Sequence, residues 1–291
     1  MPRAVVCHKF GPPSTLVVED VAPLEPRAGE VVIKVLTSGL DFVATLMIEG
    51  RYQWVSAPPF TPGGEVTGVV ETVGAGVTAF SPGDLVCSGG GGVQGGFAEQ
   101  YRCKANSLMP LPADYDVRRF PSLYGYQTSL FALRNRARLQ RGETLLVLGA
   151  AGGVGITCVE VGKMLGATVI AAASTDEKLA VCTAAGADRT LNYDGLSYRE
   201  LRDAVRELAP GGVDVVFDPV GDAFTEPCVR NLAEGGRYLI VGFAAGDIPK
   251  VPANLLLLRN AQLVSELASS LRRANLEWRA ATPGFSQSAA F

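Results

Sequence analysis

The run Gly149-Ala150-Ala151-Gly152-Gly153-Val154-Gly155 follows the apolar stretch Leu145-Leu146-Val147-Leu148 directly and leads into Val159, Val161, Met164 and Leu165 at helical spacing. A strand, a glycine turn and a helix start, in that order, build an anion site. The first-turn N–H groups have no intrahelical acceptor, and the helix dipole adds positive potential there. A second apolar run, Ala167 to Ala173, completes a βαβ unit whose crossover is expected to be right-handed. The chemistry implied is the binding of a dinucleotide pyrophosphate. The spacing is a variant of Gly-x-Gly-x-x-Gly, with Ala150 at the first glycine position and Gly152 and Gly155 at the others. The alternative is a glycine turn that serves helix packing alone.

Other chemistries find few residues. The one histidine, His8, lies near the N-terminus, so neither a Ser-His-Asp triad nor a histidine-based metal site can be assembled. His8 reads as a strand-end residue. Cys7, Cys87, Cys103, Cys158, Cys182 and Cys228 are dispersed without a Cys-x-x-Cys pair, which points to buried thiols and not to a disulfide framework. Gly89 to Gly96 is rich in glycine but lacks the Lys-Ser/Thr ending of a nucleoside-triphosphate loop, and no helical pattern follows it, so it reads as a surface connection.

The elements that must position the glycine turn follow from the rest of the chain. The first hundred or so residues carry short β-like runs punctuated by Gly and Pro: Val31 to Leu36, Glu65 to Val73, Asp84 to Cys87 and Ala98 to Cys103. From about residue 120 the pattern alternates between helices and strands. Strands are expected at Leu145 to Leu148, Thr168 to Ala172, Thr190 to Leu191, Val213 to Phe217 and Arg237 to Val241, with Gln262 to Ser265 as a sixth. This alternation predicts a doubly wound parallel sheet, with functional residues at the carboxyl ends of its strands. The 291 residues, 47% hydrophobic and 19% charged, suffice for two domains. A net charge of −3 offers no general attraction to nucleic acid or an anionic membrane. No apolar run approaches the roughly 18 residues of a spanning helix, and the first residues do not read as a secretion signal, so a cytoplasmic protein is expected.

Over roughly residues 1 to 260 the chain resembles the medium-chain dehydrogenase/reductase superfamily, and within it the zinc-free quinone oxidoreductase branch. The resemblance is carried by Gly29-Glu30-Val31, Phe42 through Gly50-Arg51-Tyr52, Pro62-Gly63-Gly64-Glu65 with Gly68-Val69-Val70, Gly83-Asp84, Gly96-Phe97-Ala98-Glu99, the Ala150 to Gly155 turn and Asn254-Leu255-Leu256-Leu257-Leu258. It implies an α/β protein with an N-terminal β-rich GroES-like substrate domain (1–118), a Rossmann domain that binds NADPH (119–265) and a divergent C-terminal tail (266–291). It also implies hydride transfer from NADPH to a quinone or an activated alkene such as an enone. Zinc-containing relatives have a Cys and a Gly-His-Glu motif where this chain has Ser38 and Gly64-Glu65, so a catalytic zinc would lack its ligands.

Ala151, Gly152, Gly153, Val154 and Gly155 are then the pyrophosphate-facing residues. At the end of the second Rossmann strand, Ser174 puts no carboxylate against a 2′-phosphate, and the resemblance implies that Lys178 and Tyr193 contact that phosphate, which favours NADPH. The alternative makes Lys178 a solvated helix residue and Tyr193 a packing aromatic. The resemblance also brings Val220, in Asp218-Pro219-Val220-Gly221, and Val241, Gly242, Phe243 and Ala244 to the cofactor. Tyr52 is the candidate to hydrogen-bond a substrate carbonyl that gains negative charge, or else it only packs. Asp41 stands where relatives usually carry Asn, and an ionised carboxylate there would repel an anionic transition state.

Two further departures bear on function. Between Asp114 and Ser129 the chain is a few residues shorter than its relatives, so either Tyr126 replaces the threonine that follows the Tyr-Gly pair or Thr128 shifts into its place. After Asn260 the family's return to the substrate domain is replaced by a tail in which Leu267, Leu271, Ala274 and Trp278 would share a helical face. Relatives form homodimers through Rossmann sheet edges, and the altered tail weighs against the same dimer here. A catalytically impaired member that binds dinucleotide or a protein partner is therefore the alternative to an active oxidoreductase.

Overall fold

Val31, Ile33, Val66, Val70, Val86, Tyr101 and Leu108 sit at buried strand positions and form one hydrophobic core, as a half-buried antiparallel sheet requires. The computed structural model describes residues 1–53, 56–89, 95–118 and 123–265, and the chain divides into compact units spanning Met1–Tyr124 and Gly125 onward. In the first unit β1 (Arg3–Val6) pairs antiparallel with β2 (Val17–Asp20). A five-stranded antiparallel sheet follows, formed by β3 (Glu30–Ser38), β4 (Glu65–Val73), β5 (Leu85–Gly89), β6 (Gln100–Lys104) and β7 (Leu108–Pro110) in the order β6-β3-β4-β5-β7. Between β3 and β4 lies α1 (Phe42–Ile48), which buries Ala44, Met47 and Ile48. Met47 and Ile48 join Cys7 and Phe60 in a second, smaller core.

The second unit opens within α2 (Leu123–Leu130), which runs into a π-helical turn over Phe131–Arg136. Six strands then alternate with helices: β8 (Thr144–Val147), α3 (Gly153–Met164), β9 (Thr168–Ala173), α4 (Asp176–Ala184), β10 (Arg189–Asn192), α5 (Tyr198–Leu208), β11 (Val213–Asp218), α6 (Thr225–Val229), β12 (Leu232–Ile240), α7 (Ala253–Leu257) and β13 (Gln262–Ser265). All neighbouring pairs are parallel, in the order β10-β9-β8-β11-β12-β13. The chain begins at the centre, winds to one edge, and returns to build the other half. This is the doubly wound topology the alternation predicts, and its reversal point lies between β8 and β11. Successive residues of β8 face opposite cores: Leu145 and Val147 join α3, while Leu146 joins the core on α5. Burial on both faces explains why β8 and β9 read as unbroken apolar runs.

β12 begins at Leu232, five residues before the expected Arg237, because it passes through Gly235 at φ +71° and Gly236. That glycine pair looks like a strand terminator but lies inside the strand. The tail with Leu267, Leu271, Ala274 and Trp278, the centre of the glycine run at 90–94, and Pro121-Ser122 lie outside the described residues. The expected domain border at 118/119 adjoins residues 119–122, which also lie outside them.

Candidate functional site

The carboxyl ends of β8, β9, β10, β11 and β12 gather the residues on which the sequence argument rests. After β8 the chain turns at Gly149, whose φ of +57° suits glycine. Gly152 then caps α3 with no side-chain hydrogen bond of its own. The tight-turn glycine is thus Gly149, one residue before the position that spacing alone assigned to Ala150, which is buried. The first-turn N–H groups of Gly153, Val154 and Gly155 precede the first α3 bond, Ile156 N to Gly152 O at 2.8 Å, and are oriented for an anion. A Cβ on Gly155 would come within 2.2 Å of the Gly149 carbonyl oxygen, so the close approach of turn and helix needs a glycine there.

Ser174, Lys178 and Tyr193 share one corner. The Lys178 ammonium donates to Ser174 Oγ at 2.8 Å, and the Tyr193 N–H donates to the Ala173 carbonyl at 3.1 Å, bringing Tyr193 beside Ser174. Thr175 caps α4 by accepting from Lys178 N, and Asp176 is engaged by Asn192 Nδ2 at 2.8 Å. The Tyr193 ring lies 4.7 Å from that of Phe224, and burial raises its phenol pKa above the ordinary value. An exposed cation beside a hydroxyl is a pairing whose chemistry suits an anionic ligand.

A knot of turns closes the other side. Ala244 N donates to the Pro219 carbonyl and Ala245 N to the Val220 carbonyl, both at 3.0 Å. Val220 Cγ2 would lie 2.9 Å from a Cβ on Gly149, and a Cβ on Gly221 would lie 3.0 Å from the Phe243 ring. Gly242, Phe243 and Ala244 thus pack on the Pro219–Gly221 turn, and that turn meets the glycine turn through Val220. On α2, Tyr126 donates to Glu160 of α3. Thr128 is buried, and its hydroxyl has no partner among the described residues. Of the two residues the sequence left open, Tyr126 gives its hydroxyl proton to Glu160, whereas the Thr128 hydroxyl is enclosed and unpartnered.

In the first unit Asp41 caps α1, accepting from Ala44 N at 2.7 Å, a role that Asn fills equally well. Burial raises the Asp41 pKa, and the backbone N–H groups around it oppose that rise. Its charge acts on Glu65, a residue singled out in the sequence only by its place beside Gly64. Glu65 is 4% exposed and accepts from Tyr124 N at 2.7 Å. Burial pushes its carboxyl up to about 7, the Tyr124 bond opposes this, and Asp41 adds to it. Ser38 Oγ and Gly39 N both donate to the Glu65 carbonyl, at 3.0 and 2.9 Å. Tyr52 packs on the small core of Cys7, Met47, Ile48 and Phe60. His8 pairs with Glu19 at 3.0 Å.

Comparison with known proteins matches the two units to two family models. Residues 27–113 match the alcohol dehydrogenase GroES-like domain, and residues 153–285 match a family described as zinc-binding dehydrogenase. The chain is 39% identical over 279 residues to quinone oxidoreductase-like protein 2 of Bos taurus, covering 94% of this chain and 77% of that protein. The chain belongs to the medium-chain dehydrogenase/reductase superfamily, in its quinone oxidoreductase-like branch. Quinone oxidoreductase of Rattus norvegicus is 33% identical over 274 residues, covering 93% of this chain and 82% of the relative. A mycobacterial protein solved in complex with NADPH superposes with a TM-score of 0.87 at 33% identity, over 96% of this chain and 86% of that one. The quinone oxidoreductase of Thermus thermophilus, solved alone and with NADPH, gives 0.78 at 32%, over 95% and 84%.

One of the matched family descriptions names zinc, and the residues present do not fit it. Gly64 has no side chain and Ser38 Oγ is engaged by a carbonyl, which leaves Glu65 without the thiolate and imidazole partners zinc takes. Among the described residues no group of three or more His, Cys, Asp or Glu could hold a metal ion. No helix among the described residues is long and apolar enough to cross a membrane.

Proposed function

We propose that this chain reduces a quinone, or an activated alkene such as an enone, with hydride from NADPH, in the cytosol and without zinc. The observation that carries the NADPH reading is the Lys178–Ser174 corner beside Tyr193. It offers a cation and the Ser174 hydroxyl, with no carboxylate at the end of β9, where an NAD-binding fold would place one against the ribose. The solved relatives bound to NADPH support the same reading. Bound NADPH supplies the hydride, and the protein supplies proximity, orientation and electrostatics.

The protein's own contributions divide by residue. The N–H groups of Gly153, Val154 and Gly155 receive the pyrophosphate, with Ala151 and Gly152 forming the approach to it. Val220, Val241, Gly242, Phe243 and Ala244 line the adjoining surface. The Thr128 hydroxyl is the group we assign to the nicotinamide side of the site, on the strength of the family's threonine after its Tyr-Gly pair. Tyr52 is the group we assign to the acceptor carbonyl, donating as negative charge develops on oxygen. Six buried cysteines fit a reducing compartment.

The experiment is a screen of quinones and enones with NADPH in saturation, run on the wild type and on Tyr52→Phe. The expected result is NADPH oxidation by at least one acceptor class, with turnover at least tenfold lower in the variant. No oxidation with any acceptor counts against the enzyme reading, and an unchanged turnover in Tyr52→Phe removes Tyr52 from the site.

A further inference from the structure

Asp218 ends β11 as a carboxyl group buried to 1% exposure, and among the described residues it has no ion-pair partner. Four donors meet it instead. Oδ1 accepts from Val220 N and Gly221 N, both at 2.8 Å, while Oδ2 accepts from the Tyr238 hydroxyl at 2.6 Å and from Thr225 Oγ1 at 3.3 Å. Its backbone carbonyl accepts from Val241 N at 2.9 Å and Gly242 N at 3.3 Å. One residue thus grips the turn after β11 through its side chain and the turn after β12 through its main chain. Between them these turns present Val220 to Gly149 and Gly221 to Phe243.

We propose that Asp218 is a positioning residue for dinucleotide binding. It touches no ligand itself and sets affinity by fixing the Pro219–Gly221 turn, and through Val220 the surface beside the glycine turn. The division of labour within the carboxyl group makes this testable. The Oδ1 side holds the turn, whereas the Oδ2 side ties into the core through Tyr238 and Thr225. Loss of the Oδ1 acceptor strands two backbone N–H groups at the mouth of the site. Loss of the Tyr238 hydroxyl alone leaves the turn gripped. A merely structural carboxyl would make the two losses equivalent. A stranded donor has neither water nor a protein acceptor, so its cost favours conformations in which the turn has moved.

This inference rests on the NADPH reading, and the test separates the two. The full chain is titrated with NADPH by nicotinamide fluorescence, with melting temperature measured in parallel. Wild type must bind saturably; if it does not, the NADPH reading fails before Asp218 is addressed. Asp218→Ala is expected to weaken NADPH binding by about tenfold or more. Asp218→Asn, whose Oδ1 still accepts both N–H groups, is expected to stay within about threefold of wild type. Tyr238→Phe is expected to melt at a lower temperature while binding within about twofold of wild type. Should Asp218→Ala not fold, Asp218→Ser is read in its place, since its short hydroxyl can take only one of the two N–H groups; a weakening of about fivefold is expected. Wild-type affinity in folded Asp218→Ala or Asp218→Ser overturns the proposal. So does a Tyr238→Phe variant that loses as much affinity as Asp218→Ala.

Discussion

Glu65 illustrates how far a single side chain can depart from its sequence context. Its carboxyl group opens β4 ahead of Val66, Thr67, Gly68, Val69 and Val70, and nothing in that run announces burial. With its folded value near 7 against an ordinary 4.5, the neutral form is favoured in the folded state. Below pH 4.5 Glu65 is protonated in both states and carries no penalty. As pH rises through 4.5 toward 7 the unfolded chain ionises first, so stability falls, by on the order of 3 kcal/mol for a shift of that size. Glu65→Gln removes this slope while keeping an oxygen for the Tyr124 N–H. Urea unfolding at pH 5 and pH 8 should show a variant whose stability changes less between the two than that of wild type; parallel pH dependence in the two proteins would refute it. Asp41 acts on the same carboxyl group. Asp41→Asn keeps the cap on α1, removes a charge that raises the Glu65 pKa, and is expected to increase turnover with NADPH and an active acceptor. A fall in turnover would show that the carboxylate, and not its charge-neutral counterpart, suits the reaction.

At the scale of elements, α3 meets β8 through glycines with different duties. A Cβ on Gly155 would collide with backbone atoms, 2.2 Å from Gly149 O and 2.8 Å from Ala150 Cα, whereas a Cβ on Gly153 meets nothing within 4 Å. Gly155→Ala is therefore expected to destabilise the fold by about 1–3 kcal/mol and to weaken dinucleotide binding, while Gly153→Ala holds or gains stability by up to about 1 kcal/mol. Thermal melts of the two variants check this, and equal stabilities would contradict the close approach at Gly155. β8, β9 and β11 were legible because each is buried on both faces, while β10 and the exposed β13 showed only short runs, Thr190 to Leu191 and Gln262 to Ser265. Others were less so. β2 (Val17–Asp20) is mostly exposed and gives no alternation, and α1 has seven residues, too few for a helical period to stand out. Site residues on turns with a spacing rule, such as Gly155, could be read directly. The burial of Asp218 and Glu65 could not, because it arises only when distant segments meet, and the choice between Tyr126 and Thr128 stayed open for the same reason.

For the whole molecule, a sheet order that reverses between β8 and β11 places the glycine turn, the Lys178 corner and the Val220–Ala244 surface along one edge of the second unit. The first unit carries Asp41, Glu65 and Tyr52 on a separate antiparallel frame. The two units fit the two matched family models, and the dinucleotide proposed for the second unit is NADPH. The measurement that tests it most directly is titration of the purified full chain with NADPH, followed by nicotinamide fluorescence, beside a matched titration with NADH. Lys178→Ala serves as the variant in which the 2′-phosphate contact is removed. Saturable binding that favours NADPH at least tenfold, with that preference collapsing in Lys178→Ala, is the predicted result. Equal or tighter binding of NADH, or no binding of either by a demonstrably folded sample, would contradict it.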